Sequence, residues 1–372
     1  MPKMRIAALA VTVTVLVAVA VTSAQDAVPN QERTLLSRVR RLTVEGKRAG
    51  EGYWSPDGKR LVLQSEREPG NPFYQMYVMD LTSGDTTRIS PGMGKTTCGF
   101  FRPGSDEILF ASTHHDPKSK QYQDEELAFR ASGKERRYAW DYDPEMDIYA
   151  YKEGTKALRR LTTARGYDAE AGYSPDGQWI AFSSTRAAFD HSLSAAEQKQ
   201  LTTDASWFAE IYVMKADGTG QTRLTTTPGY DGGPFFTPDG KKILWRRFDE
   251  QGLIADVWMM NPDGTDKRQI TNFKAMSWAP YMHASGEYIL FASNKLGFEN
   301  FEVFMVDAAG TKEPVRVTYS DGFDGLPVPS PDGTQLAFTS ARSGGGAGQI
   351  FLAQWSHEAA RAAIKNAPLR KN

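Results

Sequence analysis

Short apolar runs recur along the chain, each set after a turn. "RLVLQS", "EILFAS", "WIAFSS", "KILWRR", "YILFAS" and "QLAFTS" follow turns of the Ser/Thr-Pro-Asp-Gly type or close variants of it. A second series comes after them: "MYVMDL", "DIYAYK", "EIYVMK", "DVWMMN", "EVFMVD" and "QIFLAQ". Runs apolar on both faces predict strands covered from both sides. Several copies then carry a glycine turn ("KADGTG", "NPDGTD", "DAAGTK") and a short strand ending in Leu/Ile/Val-Thr, as in "TRLTT". With one strand before the first turn, each unit has four strands.

The first turn residues are Ser55, Arg102, Ser174, Thr237, His283 and Ser330, spaced by 47, 72, 63, 46 and 47 residues. A four-stranded unit of roughly 47 residues, repeated radially, is a propeller blade. The expected fold is therefore all-β, a six-bladed β-propeller of four-stranded antiparallel blades. The sixth copy ends at "QIFLAQWSHEAA" without its last strand, and "SRVRRLTVEG" (Ser37–Gly46) precedes the first turn. This N-terminal strand is expected to complete the last blade and close the ring, leaving no long edge open.

Composition adds three points. The chain has 372 residues, 40% hydrophobic, with 33 Gly and 20 Pro, which suits a large turn-rich core. The formal net charge of −1 gives no bias toward nucleic acid. Residues 1–24 combine Lys3 and Arg5, an apolar stretch and Thr22-Ser23-Ala24, the layout of a cleaved signal peptide. A periplasmic or secreted monomer with no membrane span after signal removal is expected. Cys98 is the only cysteine, so no intrachain disulfide holds the fold. The propeller is expected over 25–355, with inserts at 114–144 in blade 2 and 187–209 in blade 3. A short surface helix and frayed tail follow over 356–372.

The stretch "SPDGQWIAFSSTR…EIYVMKADGTGQTRLTT" resembles the repeat of TolB-type six-bladed propellers, over roughly Ser37 to Trp355. That resemblance implies the propeller fold. For function it implies a docking module, a gating domain of a peptidase or a lyase. The separate α/β domain that precedes the TolB propeller has no counterpart expected here, and no Gly-x-Ser-x-Gly elbow of a hydrolase occurs.

Name the strands A to D from the axis outward. The A–B and C–D turns then share one face, and the B–C and D–A connections the other, together with both inserts. "YDAEAGYSPDG", "YDGGPFFTPDG" and "FDGLPVPSPDG" place Asp168, Asp231 and Asp324 at the start of strand A. With Glu51, Glu170 and Asp147, these acids are expected to line the channel mouth. Several carboxylates around a narrow opening suit calcium; pairing with Arg67, Arg186, Arg342, Lys295 or Arg246 at the end of strand B is the structural alternative. Tyr138, Trp140, Tyr142 and Trp207 sit beside charges in the inserts, a composition suited to peptide or saccharide contact. His114, His115, Asp116 and His191 could supply a transition-metal site if the two loops converge. The leading expectation is an exported non-catalytic binding module for a protein, peptide or saccharide ligand of the cell envelope. The alternatives are a metal-assisted lyase or hydrolase at the same face, and a TolB-like part of an envelope complex.

Overall fold

The computed structural model describes residues 32–134, 140–344 and 346–371. The stretch read as a signal peptide and Tyr138 lie outside them. Among the described residues, six antiparallel sheets of four strands form the six blades. Blade 3 shows the order from the axis outward: Asp168–Tyr173, Trp179–Ser184, Glu210–Lys215 and Thr222–Arg223. In blade 6 the outer strand is Leu36–Arg41, paired with Gln349–Trp355 in a register that sets Ser37 opposite Gln354 and Arg41 opposite Phe351. The N-terminal strand closes the ring.

The repeated sequence signals have local causes. In the A–B turn of blade 3, Ser174 Oγ donates to Asp176 Oδ1 (2.5 Å) and accepts from Trp179 N (2.9 Å). Ser55, Thr237 and Ser330 form the same side-chain lock with Asp57, Asp239 and Asp332. The terminal Thr or Ser of strand D has an equally specific task. Its hydroxyl accepts from a strand C amide, as in Thr162 with Ile148, Thr225 with Ile211 and Thr318 with Val303. The same hydroxyl donates to the acid that opens strand C: Thr162 to Asp147 and Thr318 to Glu302. This ties the short outer strand to its blade and satisfies a buried N–H.

Apolar side chains of strands A to C fill the spaces between sheets; Phe110, Phe182, Phe291 and Phe338, one position in four blades, are at most 1% exposed. The blade 2 insert forms a helix, Ser119–Ala131. The blade 3 insert forms a helix, Ala195–Thr203, whose start carries the Ser194–Glu197 capping box. The C-terminal segment departs from the expectation of a frayed tail. Its helix, His357–Asn366, buries Ala360 and Ile364, and His357 stacks on His283 (4.7 Å). The residues after it run on past blade 5, where Arg370 N donates to Thr311 O (2.8 Å) and Leu369 bridges Lys312. Spare backbone groups of blade 5 pair with this segment and hold it.

Candidate functional site at the insert face

The three repeated aspartates are not at an open mouth. Asp168, Asp231 and Asp324 are each 0% exposed and lie within their own blades. Asp168 meets Arg186 (2.6 Å), Asp324 meets Arg342 (2.6 Å) and Asp231 meets Arg247 (2.7 Å). Trp245 Nε1 also donates to Asp231 (2.9 Å). Burial pushes the Asp168 carboxyl up to about 6 although Arg186 opposes it. Asp147 lies farther out, at the start of strand C, bonded to Arg160 Nε (2.9 Å) and Thr162. These acids fasten strand ends and loops, because an arginine at the same level already engages each carboxylate. In blade 4 the pairing arginine is Arg247 rather than Arg246. Neighbouring residues of a strand face opposite ways, and Arg246 turns toward the axis.

A repeated backbone feature decides what lines the channel. Every inner strand carries a register shift at one position. The residue there has a left-handed backbone: Glu51 (φ 50°), Cys98 (55°), Glu170 (55°), Gly233 (59°), Ala279 (51°) and Leu326 (53°). Such a bulge re-aims one side chain out of the pleat. All six residues line a cavity of about 20 Å³ on the axis. That space holds roughly one water-sized group.

The polar groups of this layer form one network. Arg246 bonds Glu170 (2.8 Å) and also donates to the Tyr230 hydroxyl. Tyr230 in turn donates to Glu170 Oε1 (2.5 Å), and Gly233 N to Glu170 Oε2 (2.7 Å). Glu170 is thereby fully compensated. Glu51 accepts only from Cys98 Sγ (3.2 Å) among side chains. Burial pushes its carboxyl up to about 7, opposed by the Cys98 bond and reinforced by Glu170. Burial likewise raises the Cys98 thiol, which disfavours the thiolate.

Two residues farther along the inner strands, Tyr53, Phe100, Phe235 and Tyr281 meet across the axis. Tyr53 of blade 1 lies 5.5 Å from Phe235 of blade 4, and Phe235 lies 5.0 Å from Tyr281. Contact between opposite blades closes the channel on the side of the Pro-Asp-Gly turns. The polar layer therefore faces the inserts.

The blade 2 insert returns over this layer. Trp140 Nε1 donates to the Tyr167 hydroxyl (2.9 Å), and Tyr142 packs edge-on against Tyr167 (5.1 Å) and Tyr230 (5.5 Å). Beside this roof, a pocket of about 250 Å³ opens between blades 1 and 2 and the insert helix. Phe73, Tyr74 and Trp140 give it aromatic walls; Arg48, Lys95 and Arg130 bring charge. Glu66 holds Arg48 (2.9 Å) and Arg130 (2.6 Å), while Asp143 (2.7 Å) and Asp141 hold Lys95. Burial would lower the Lys95 ammonium, but Asp143 and Asp141 outweigh it and raise it. The pocket thus presents fixed, paired charges of both signs between aromatic rings.

The remaining candidates stay apart. His115 bonds Tyr149 (2.9 Å) and approaches Asp147 (3.2 Å), while His114 contacts Ser112 (3.0 Å). Burial lowers His114 to about 4, with His115 adding to the effect. Asp116 caps the turn into the insert helix through Lys118 N (2.9 Å). His191 is exposed and pairs with Asp190 on its own loop (2.7 Å). Among the described residues no group of three or more His, Cys, Asp or Glu is placed to hold a metal ion. Trp207 packs edge-on against Phe208 (4.9 Å). Arg246, expected as a partner for the strand A aspartates, serves the axial layer instead. Cys98 and Tyr230 are the site residues that sequence reading passed over. The only signal for them was position, two residues after the start of strand A for Cys98.

No family model matches the chain. An uncharacterized protein of Agrobacterium fabrum is 27% identical over 212 residues, 53% of this chain and 64% of that protein. A TolB homolog of Chlorobium luteolum is 27% identical over 122 residues, 27% of this chain and 28% of that protein. The chain thus spans less than two thirds of the length of either relative. Among solved structures, a putative TolB from Agrobacterium tumefaciens superposes with a TM-score of 0.55 at 19% identity, covering 83% of this chain and 90% of that one. TolB from Acinetobacter baumannii gives 0.54 at 16% identity, covering 87% and 65%. An oligogalacturonate lyase from Vibrio parahaemolyticus gives 0.52 at 12% identity, covering 86% and 94%. At these identities the likeness is one of fold, and enzymes share it. Strand order, closing strand and these likenesses make the chain a TolB-like six-bladed β-propeller.

Proposed function

We propose that the protein is an exported, non-catalytic binding module that docks a polypeptide segment of an envelope partner at its insert face. The observation carrying this reading is the pocket of about 250 Å³ under the blade 2 insert. Its aromatic walls suit apolar side chains, and its paired charges of both signs suit a backbone with mixed polar groups. A strongly anionic ligand finds no uncompensated cation there. The channel is plugged on the opposite face, where the recess between the A–B turns of blades 1 and 6 is lined by turn residues such as Pro56, Asp57 and Asp332 and has no aromatic wall; the aromatic-walled recess is on the insert face. Export is in keeping with the basic, apolar and small-residue order of positions 1–24. Among the described residues no helix is long and apolar enough to cross a membrane.

A peptide library and an oligosaccharide panel, arrayed side by side against the purified protein, test the reading. Peptides should bind saturably, and Trp140→Ala should weaken them at least ~10-fold, the loss of about one aromatic contact in a well-packed site. Binding confined to saccharides, or peptide binding indifferent to Trp140, would contradict it.

A further inference from the structure

The axial cavity is a second site, independent of the pocket beneath the insert. Its groups are unequally satisfied. Glu170 takes bonds from Arg246, Tyr230 and Gly233. Arg246, only 8% exposed, lines the cavity, yet its Nε has no acceptor among the described residues. Trp278 lies against the same guanidinium, Cζ standing 5.6 Å from its ring centre, and its buried Nε1 likewise has no acceptor. Two buried donors without acceptors are costly unless something supplies oxygen to them.

We propose that this layer of the channel binds a carboxylate, one oxygen seated in the cavity against Arg246 Nε and the other within reach of Trp278 Nε1. The surroundings suit the group. Trp278 is flanked by Phe301 (5.9 Å) and Phe323 (6.2 Å), and Arg246 also lies over Tyr230 (4.8 Å). These rings set apolar surface around the two donors. The cavity, about 20 Å³, admits one oxygen-sized group.

Charge balance governs affinity. The groups facing Glu51 are Tyr53 on its own strand, Cys98 from blade 2, Glu170 from blade 3 and Arg246 from blade 4, with Tyr281 from blade 5 against Tyr53. Ala279 and Leu326 complete the ring without charge. The tyrosines and the thiol are neutral, since burial raises all three. Glu170 and Arg246 offset each other. An ionised Glu51 would repel the incoming carboxylate, whereas a protonated one adds a donor. Binding above neutral pH therefore takes up one proton at Glu51. With that carboxyl titrating at about 7, affinity should fall about tenfold between pH 6 and pH 8.

Calorimetry and thermal shift on the full chain, at pH 6 and pH 8 and constant ionic strength, test the proposal. The probes are sodium formate, sodium acetate, and one short peptide with a free or an amidated C-terminus. Formate or acetate binding identifies a free small carboxylate as occupant; binding of the free but not the amidated peptide, with formate silent, identifies a chain terminus. Either supports the proposal, provided Glu51→Gln abolishes the pH dependence and Trp278→Phe weakens binding. The paired change Arg246→Met with Glu170→Gln should abolish it. If that pair fails to fold, Trp278→Phe decides, because it removes the indole N–H while keeping an aromatic ring at that place. No binding by any probe at pH 6, or binding unaffected by Trp278→Phe, would overturn the proposal.

Discussion

Glu51 shows how far a single residue's chemistry is set by its backbone. At a left-handed bulge (φ 50°) its side chain leaves the sheet for the axis, where burial raises its carboxyl to about 7. Its folded value lies above its unfolded one, so the folded chain holds the proton longer. This group's contribution is fully present below about pH 4.5 and is lost as pH rises through about 7. Glu51→Gln should match the wild type near pH 4 and exceed it at pH 8 by up to about 3 kcal/mol. Chemical denaturation at the two pH values measures the difference, and equal stability at pH 8 would show an unperturbed carboxyl. The acids at this scale were only half legible in the sequence. Glu51 and Glu170 do face the channel, whereas Asp168, Asp231 and Asp324, two positions earlier, are buried against arginines. Spacing placed all of them near the axis, but nothing in residue type marks a bulge occupied by Glu, Cys, Gly, Ala and Leu in different blades. The inward turn of Arg246 was hidden for a related reason. It neighbours Arg247, and only the strand's register says which one faces inward.

Within a blade, the outer strand is the weakest element, as short as two residues in three blades. One hydroxyl does much to hold it, accepting from a strand C amide and donating to the acid beside it. Thr318→Val keeps the shape, strands the Val303 N–H and leaves Glu302 with Arg316 alone. A loss of about 2 kcal/mol is expected, with hydrogen exchange rising first in Glu302–Asp307. A variant as stable as the parent would mean that the Thr is a passenger of the repeat. Strands and turns were legible because each has a local cause: the Ser-x-Asp lock of the turn and the apolar runs. The roof over the channel was not, since Trp140 and Tyr142 reach Tyr167 and Tyr230 only after the insert folds back across two blades.

For the molecule as a whole, closure depends on residues far apart in the chain, more than 270 positions in each contact. Thr43 bonds Gln349 (2.7 Å) and Ile350 N (2.9 Å), and Trp54 Nε1 reaches Val328 O (2.9 Å). Removing 32–46 bares the edge of blade 6, and cooperative thermal unfolding should be lost; a truncated chain that melts like the parent would remove closure from the account. This long-range pairing was legible because a missing strand at one end matched a spare one at the other. The central claim, which rests on the proposed function, is that the two faces differ: on one the channel is plugged by Tyr53, Phe100, Phe235 and Tyr281, and the other carries the insert roof and the aromatic-walled pocket proposed to bind. Site-specific photo-crosslinking in cells compares them directly, with the reactive group placed at Asp141 on the pocket rim or at Lys241 on the turn face. Both side chains are exposed. Adducts with one recurrent protein partner from Asp141, and none from Lys241, are the predicted result; adducts from Lys241 equal to or exceeding those from Asp141 would contradict the account.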